Sequence, residues 1–197
     1  MSPLAGIVFS GALLLLVAGA AKLVRPDATR VALRTAGLPS TRAVVRLLGA
    51  AEVGAAAVTF AVPGVLGASL VAVFYAGFAA FSALLLRRSR GRASCGCFGG
   101  DDAPVTTVHV WLNVAVAAAA ALTLTEPTPS FVDAMGDTPA AGIPFAALVL
   151  LLAWLLFVAY TVLPAVQAAA RPIPSPAAGT TGTGTGLTIS PRPGAAS

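Results

Sequence analysis

"LAGIVFSGALLLLVAGAAKLVRP", residues 4–26, decides how the rest of the chain is read. Its apolar run is about 20 residues long, enough to cross a hydrocarbon core of roughly 30 Å as a helix. The "AGAA" inside it resembles the small-residue cleavage site of a secretory signal. The charges argue otherwise, because no Lys or Arg precedes the run, whereas Lys22, Arg25 and Arg30 follow it. The segment therefore reads as an uncleaved membrane span, Leu4–Val24, with its N-terminus outside.

Outward from this stretch, four further runs have the same length and character: Ala43–Val62, Val65–Leu86, Val105–Leu124 and Ile143–Val166. Pro63-Gly64 supplies a tight turn between the second and third. Pro104 falls where a first helical position is expected for the fourth. Glycine and alanine crowd the runs, as suits close helix packing in lipid. The chain is 57% hydrophobic and 10% charged, against about 25% charged for a soluble domain. Too few polar side chains exist to cover a globule, so the bilayer must be the solvent. The expected architecture is all-α, a polytopic membrane helical bundle of about five transmembrane helices over residues 1–168. Residues 169–197 form a Pro-, Gly- and Thr-rich tail with almost nothing to bury, expected to be disordered. Between the first two spans, "RPDATRVALRTAG" reads either as a short interfacial helix stopped at Gly37 or as a solvated connector.

The chain is basic, with 12 Lys and Arg against 7 Asp and Glu. No basic stripe with interleaved aromatics is present, which argues against nucleic acid as a partner. Instead the basic residues fall in three stretches, Lys22–Arg46, Arg87–Arg92 and the tail with Arg171 and Arg192. Five spans put all three on one face, with Glu126, Asp133 and Asp137 on the other. The positive-inside rule makes the basic face cytoplasmic, and with it the C-terminus.

Both cysteines lie in "SCGCFGGDD", residues 94–102, on that basic face. Two cysteines and one histidine are too few for a tetrahedral zinc site, so no metal is expected. A dithiol/disulfide pair, Cys95 and Cys97, is the chemical option. Its closure would make a small, strained ring, as suits an exchanging bridge. Arg87, Arg88, Arg90 and Arg92 favour thiolate, as would the start of the fourth span, whereas Asp101 and Asp102 oppose it. Glycines 96, 99 and 100 free the backbone. The plain alternative is two inert thiols in a hydrophilic loop.

Lys22 and Glu52 stand out because an ionisable group deep in a span is costly unless paired, protonated or facing a polar interior. They read either as a structural ion pair or as the polar floor for a small hydrophobic ligand such as a quinone. His109 and Asn113, four apart, share a helical face near the start of the fourth span. They form either a buried interhelical hydrogen bond or part of the same cofactor-binding cluster.

"GAAKLVRP" in the first span, "GAAEVG" in the second, arginines closing the third, then "CGCFG" and "HVWLN" together resemble the methylamine utilisation MauE family, a redox-associated branch of DoxX-like membrane proteins. The likeness spans about residues 4–165. It implies that Cys95, Cys97, Phe98 and Gly99 take the family's motif positions, and Lys22 and Glu52 its polar positions. It also implies a bacterial inner-membrane protein that supports maturation of a client such as methylamine dehydrogenase, with a thioredoxin-like partner. Whether a second copy of the chain is a further partner is left open by the sequence. The function expected is thiol/disulfide exchange. The alternative is a non-catalytic membrane subunit that anchors a quinone-linked or thioredoxin-like partner. A role in periplasmic disulfides wants thiols outside, whereas the charges place them inside.

Overall fold

The computed structural model describes residues 4–98, 104–125, 129–136 and 139–169. The tail from 170 onward, and Gly99, Gly100, Asp101 and Asp102 of the cysteine loop, lie outside the described residues. Among the described residues seven α-helices follow in order: α1 (Ala5–Val24), α2 (Asp27–Thr35), α3 (Arg42–Ala61), α4 (Val65–Ser89), α5 (Thr107–Leu122), α6 (Phe131–Gly136) and α7 (Pro139–Ala169). Five of them, α1, α3, α4, α5 and α7, are long and apolar enough to cross a membrane. Large apolar side chains face outward on them, among them Leu47, Val73, Trp111 and Trp154, each at least 60% exposed. Such a surface suits lipid and not water.

Helix limits follow local chemistry. α1 stops at Arg25-Pro26, where proline cannot extend the ladder. The Thr41 hydroxyl accepts from Val44 N at 3.2 Å and caps α3. Gly64, at φ +107°, makes the turn into α4, and Arg90 and Gly91 end α4 in the left-handed region. The segment after α1 is a helix, α2, rather than a solvated connector. Arg88 fixes its far end by donating to Ala36 O at 2.7 Å. Pro104 does not open α5. It pairs with Ser94 in an isolated bridge, and α5 begins three residues later, at Thr107.

The bundle is built on α1, which packs against α3, α7, α5 and α4. α4 and α5 form a second close pair, and α2 lies across α3 and α4. One core cluster joins Val8, Ala12 and Leu15 of α1 to Val71, Tyr75 and Val116. Alternating direction gathers every described Lys and Arg at one end, together with the cysteine loop.

Candidate functional site

The site starts at a glycine contact. α1 and α3 run antiparallel and touch backbone to backbone at Gly19 and Gly49. A Cβ on Gly19 would lie 2.6 Å from Gly49 O, and one on Gly49 2.7 Å from Gly19 O. Matching strings follow the two glycines, "GAAK" at 19–22 and "GAAE" at 49–52. Helical side chains lean toward their own N-terminus, so Lys22 and Glu52 each lean back over the crossing and meet. Their ion pair is 2.8 Å long, with the side chains 3% and 0% exposed. Lys22 Nζ also donates to Ala18 O at 3.5 Å and to Cys97 O at 3.3 Å, and sits 5.5 Å from the centre of the Phe78 ring. Glu52 Oε1 is buried with no hydrogen-bond partner.

The cysteine loop is docked onto that pair. The Ser94–Pro104 bridge and the bond from Val105 N to Ala93 O, 2.8 Å, pinch its neck. Beyond the neck, Cys95 is 5% exposed and Cys97 half-buried, with both sulfurs unbridged. This corrects the reading of a hydrophilic loop for its described part, Ser94 to Phe98, which folds inward. Thr29 of α2 donates to Gly96 O at 2.8 Å, and Lys22 holds the next carbonyl, that of Cys97. Gly96 has φ +64°, and a Cβ there would sit 2.8 Å from the Ala28 carbonyl. Only glycine meets both conditions. Its place between the cysteines is therefore explained by docking on α2 as well as by turning the chain.

The two thiols differ. Cys97 is held below the ordinary thiol range, first by the hydrogen bond from the Cys95 thiol and then by the Lys22 charge, against burial and the Glu52 carboxylate. Cys95 is pushed well up, by the same shared hydrogen bond and by burial, so it is the proton-bearing partner. The cation acting on them is Lys22, not the arginine cluster expected from sequence. Arg88 is instead committed to α2.

On the α7 side, the Tyr160 hydroxyl donates to Asn113 Oδ1 at 2.9 Å, and Asn113 Nδ2 donates to His109 O at 2.7 Å. His109 Nδ1 accepts from Thr106 N at 3.2 Å and so closes the first turn of α5. Phe98 packs on Phe157 and Tyr160, with ring centres 5.1 and 6.1 Å apart. Asn113 and Cys97 share a small cavity of about 30 Å³ with Lys22 and Tyr75. Among the described residues no three His, Cys, Asp or Glu side chains come together.

On the opposite side of the thiols lies a larger cavity of about 310 Å³. Both cysteines, Lys22 and Thr29 form its inner wall, and Phe74, Phe78 and Phe81 of α4 its flank. Sequence reasoning missed Thr29, Tyr160 and this space. A hydroxyl in the apolar run of α7 was a usable signal for Tyr160. Thr29 carries none, because its role depends on where the loop returns.

Fold and site together define a polytopic helical membrane protein with a buried dithiol set over an intramembrane ion pair. The chain matches the family described as methylamine utilisation protein MauE over residues 2–126, and it belongs to that family. That match takes in α1 to α5 with both cysteines and the ion pair, and ends before α7, which supplies Tyr160 and Phe157. No curated protein and no solved structure matches the chain.

Proposed function

We propose that this MauE-family membrane protein exchanges thiols and disulfides through Cys95 and Cys97 with a thioredoxin-like partner, in support of a disulfide-bearing client such as a subunit of methylamine dehydrogenase. The observation that carries this reading is the placement of the pair: two unbridged cysteines one residue apart, folded inward against the buried Lys22 ammonium and lining one cavity with it. In the oxidised form, a partner thiolate attacks one sulfur of the Cys95–Cys97 bridge and forms a mixed disulfide. The partner's second thiol then displaces the loop, leaving the partner oxidised and both loop cysteines as thiols. A partner reaches the sulfurs when Gly96 and Cys97 leave Thr29 and Lys22. The basic end that carries the loop faces the cytoplasm in this reading, and the membrane is the bacterial inner membrane.

A second reading has an observation of its own. Cys95 is 5% exposed, which suits a non-catalytic subunit that only anchors its partner. Serine variants separate the two. Cys95→Ser or Cys97→Ser should trap a mixed disulfide with the partner, resolved by reductant, while the double variant traps none and loses exchange. Full exchange activity in both single variants would leave only the anchor.

A further inference from the structure

The cavity beside the thiols opens toward lipid. Two of the α4 residues that line it, Val73 and Gly77, are exposed, Val73 at 69%. Both lie in the middle third of a 25-residue spanning helix, at the depth of acyl chains and far from either aqueous face. A ligand entering there comes from the bilayer. At about 310 Å³ the space is at the small end of small-molecule sites, which run from roughly 300 to 1,000 Å³. Its walls are apolar and aromatic except at the inner end. There stand two thiols and the Lys22 ammonium, the one charged group lining it among the described residues. Phe74, Phe78 and Phe81 present ring surface to a flat guest. A site that admits a flat, lipid-soluble molecule and sets a dithiol and a cation at its reacting end is built for two-electron exchange with that molecule.

From this geometry we infer that the cavity between α2, α3 and α4 binds a quinone from the bilayer, which takes electrons from the Cys95/Cys97 dithiol. The inference rests on the thiol-exchange reading above and supplies its oxidant. In the step, Cys97 and Cys95 lose two protons and two electrons, and one S–S bond forms between them. The quinone gains both electrons, its two carbonyl oxygens become hydroxyls, and the two protons end on them. Lys22, which lines the same end of the cavity, would offset the negative charge that develops on the near oxygen. The disulfide so formed is the species that a partner dithiol reduces, and the quinol leaves by the way the quinone came.

Gly77 gives the test its lever, because a Cβ there meets nothing within 4 Å. Gly77→Leu should therefore fill the mouth without disturbing the helix packing. The same holds for Gly54→Leu on α3, which does not line the cavity and serves as the control. The pre-reduced full chain in lipid nanodiscs is mixed with decylubiquinone. Quinone absorbance and mass analysis of alkylated Cys95 and Cys97 are followed together. A parallel reaction with a small soluble disulfide reports thiol exchange without the cavity.

We expect one quinone reduced per Cys95–Cys97 disulfide formed. Gly77→Leu should slow that reaction at least tenfold, with Gly54→Leu unchanged. Equal quinone rates in the parent and Gly77→Leu would overturn the inference. So would exchange with the soluble disulfide and none with quinone, and that outcome leaves the thiol-exchange reading standing. Inertness toward both oxidants would overturn that reading, and this inference with it.

Discussion

The two ends of this bundle are closed by different means. At the end away from the basic residues, Phe9 stacks on Phe60 at 5.7 Å and meets Phe131 and Phe145 edge-on at 5.2 and 6.0 Å. Phe9 is 1% exposed, and the rings fill the space between α1, α3, α6 and α7. At the basic end the same α1 and α3 are joined by the Lys22–Glu52 pair, and a loop is docked where rings might have packed. Ring packing joins the helices at the aromatic end, whereas at the basic end a cavity lies beside the polar props. Reactive groups and space occur together at the basic end.

That contrast can be broken at several points. The largest effect belongs to Glu52. Removing one member of a buried pair strands the other charge, at a cost of about 3–5 kcal/mol in a soluble core. Glu52→Ala should therefore lower thermal stability in detergent much more than joint Glu52→Gln, Lys22→Met. Equal melting temperatures would mean that the pair does not hold α1 to α3.

At the other end, Phe60→Ala removes ring contacts worth roughly 3 kcal/mol, the lower part of the range for such truncations. It should leave the alkylation rate of Cys95 and Cys97 unchanged. A faster thiol reaction in that variant would show that the two ends are coupled.

Gly96→Ala acts on the loop alone. A left-handed backbone with a Cβ against the Ala28 carbonyl costs about 1–3 kcal/mol. The loop should undock from Thr29, and Cys95 should become open to a membrane-impermeant maleimide. Continued protection of Cys95 would show that its burial does not depend on this docking.

The smallest effect is expected at Tyr160→Phe, which removes one interhelical hydrogen bond to Asn113. Such bonds average about 0.6 kcal/mol in membrane proteins. The readout is melting temperature, and a loss several times larger would assign Tyr160 a role beyond packing.

The five spans were legible because length and apolarity alone select membrane-crossing helices, and Lys22 with Glu52 because a buried charge demands a partner. Their strings "GAAK" and "GAAE" were visible too, but not that the glycines touch and thereby bring the charges together. Three features needed the folded chain. Pro104 reads as a helix start, yet a bridge to Ser94 ten residues earlier holds it extended. The arginines nearest the cysteines in sequence are not the cation nearest in space, because the loop turns inward to Lys22, seventy-five residues back. The cavity is invisible in the sequence because α2, α3, α4 and the loop each supply a part of its wall.

The central claim is that Cys95 and Cys97 are an unequal, redox-active pair. Redox titration of the purified chain, with alkylation and mass readout at each pH, tests it most directly. A single dithiol/disulfide couple is expected, with a potential above the roughly −300 mV that bounds structural disulfides. Cys97, whose pKa is lowered, should be alkylated at lower pH than an ordinary thiol, and Cys95 only at higher pH. Lys22→Met removes a positive charge that favours ionised Cys97, so it should move the Cys97 profile upward in pH. Two thiols that stay reduced under mild oxidant and titrate alike would mean that the pair is neither unequal nor redox-active.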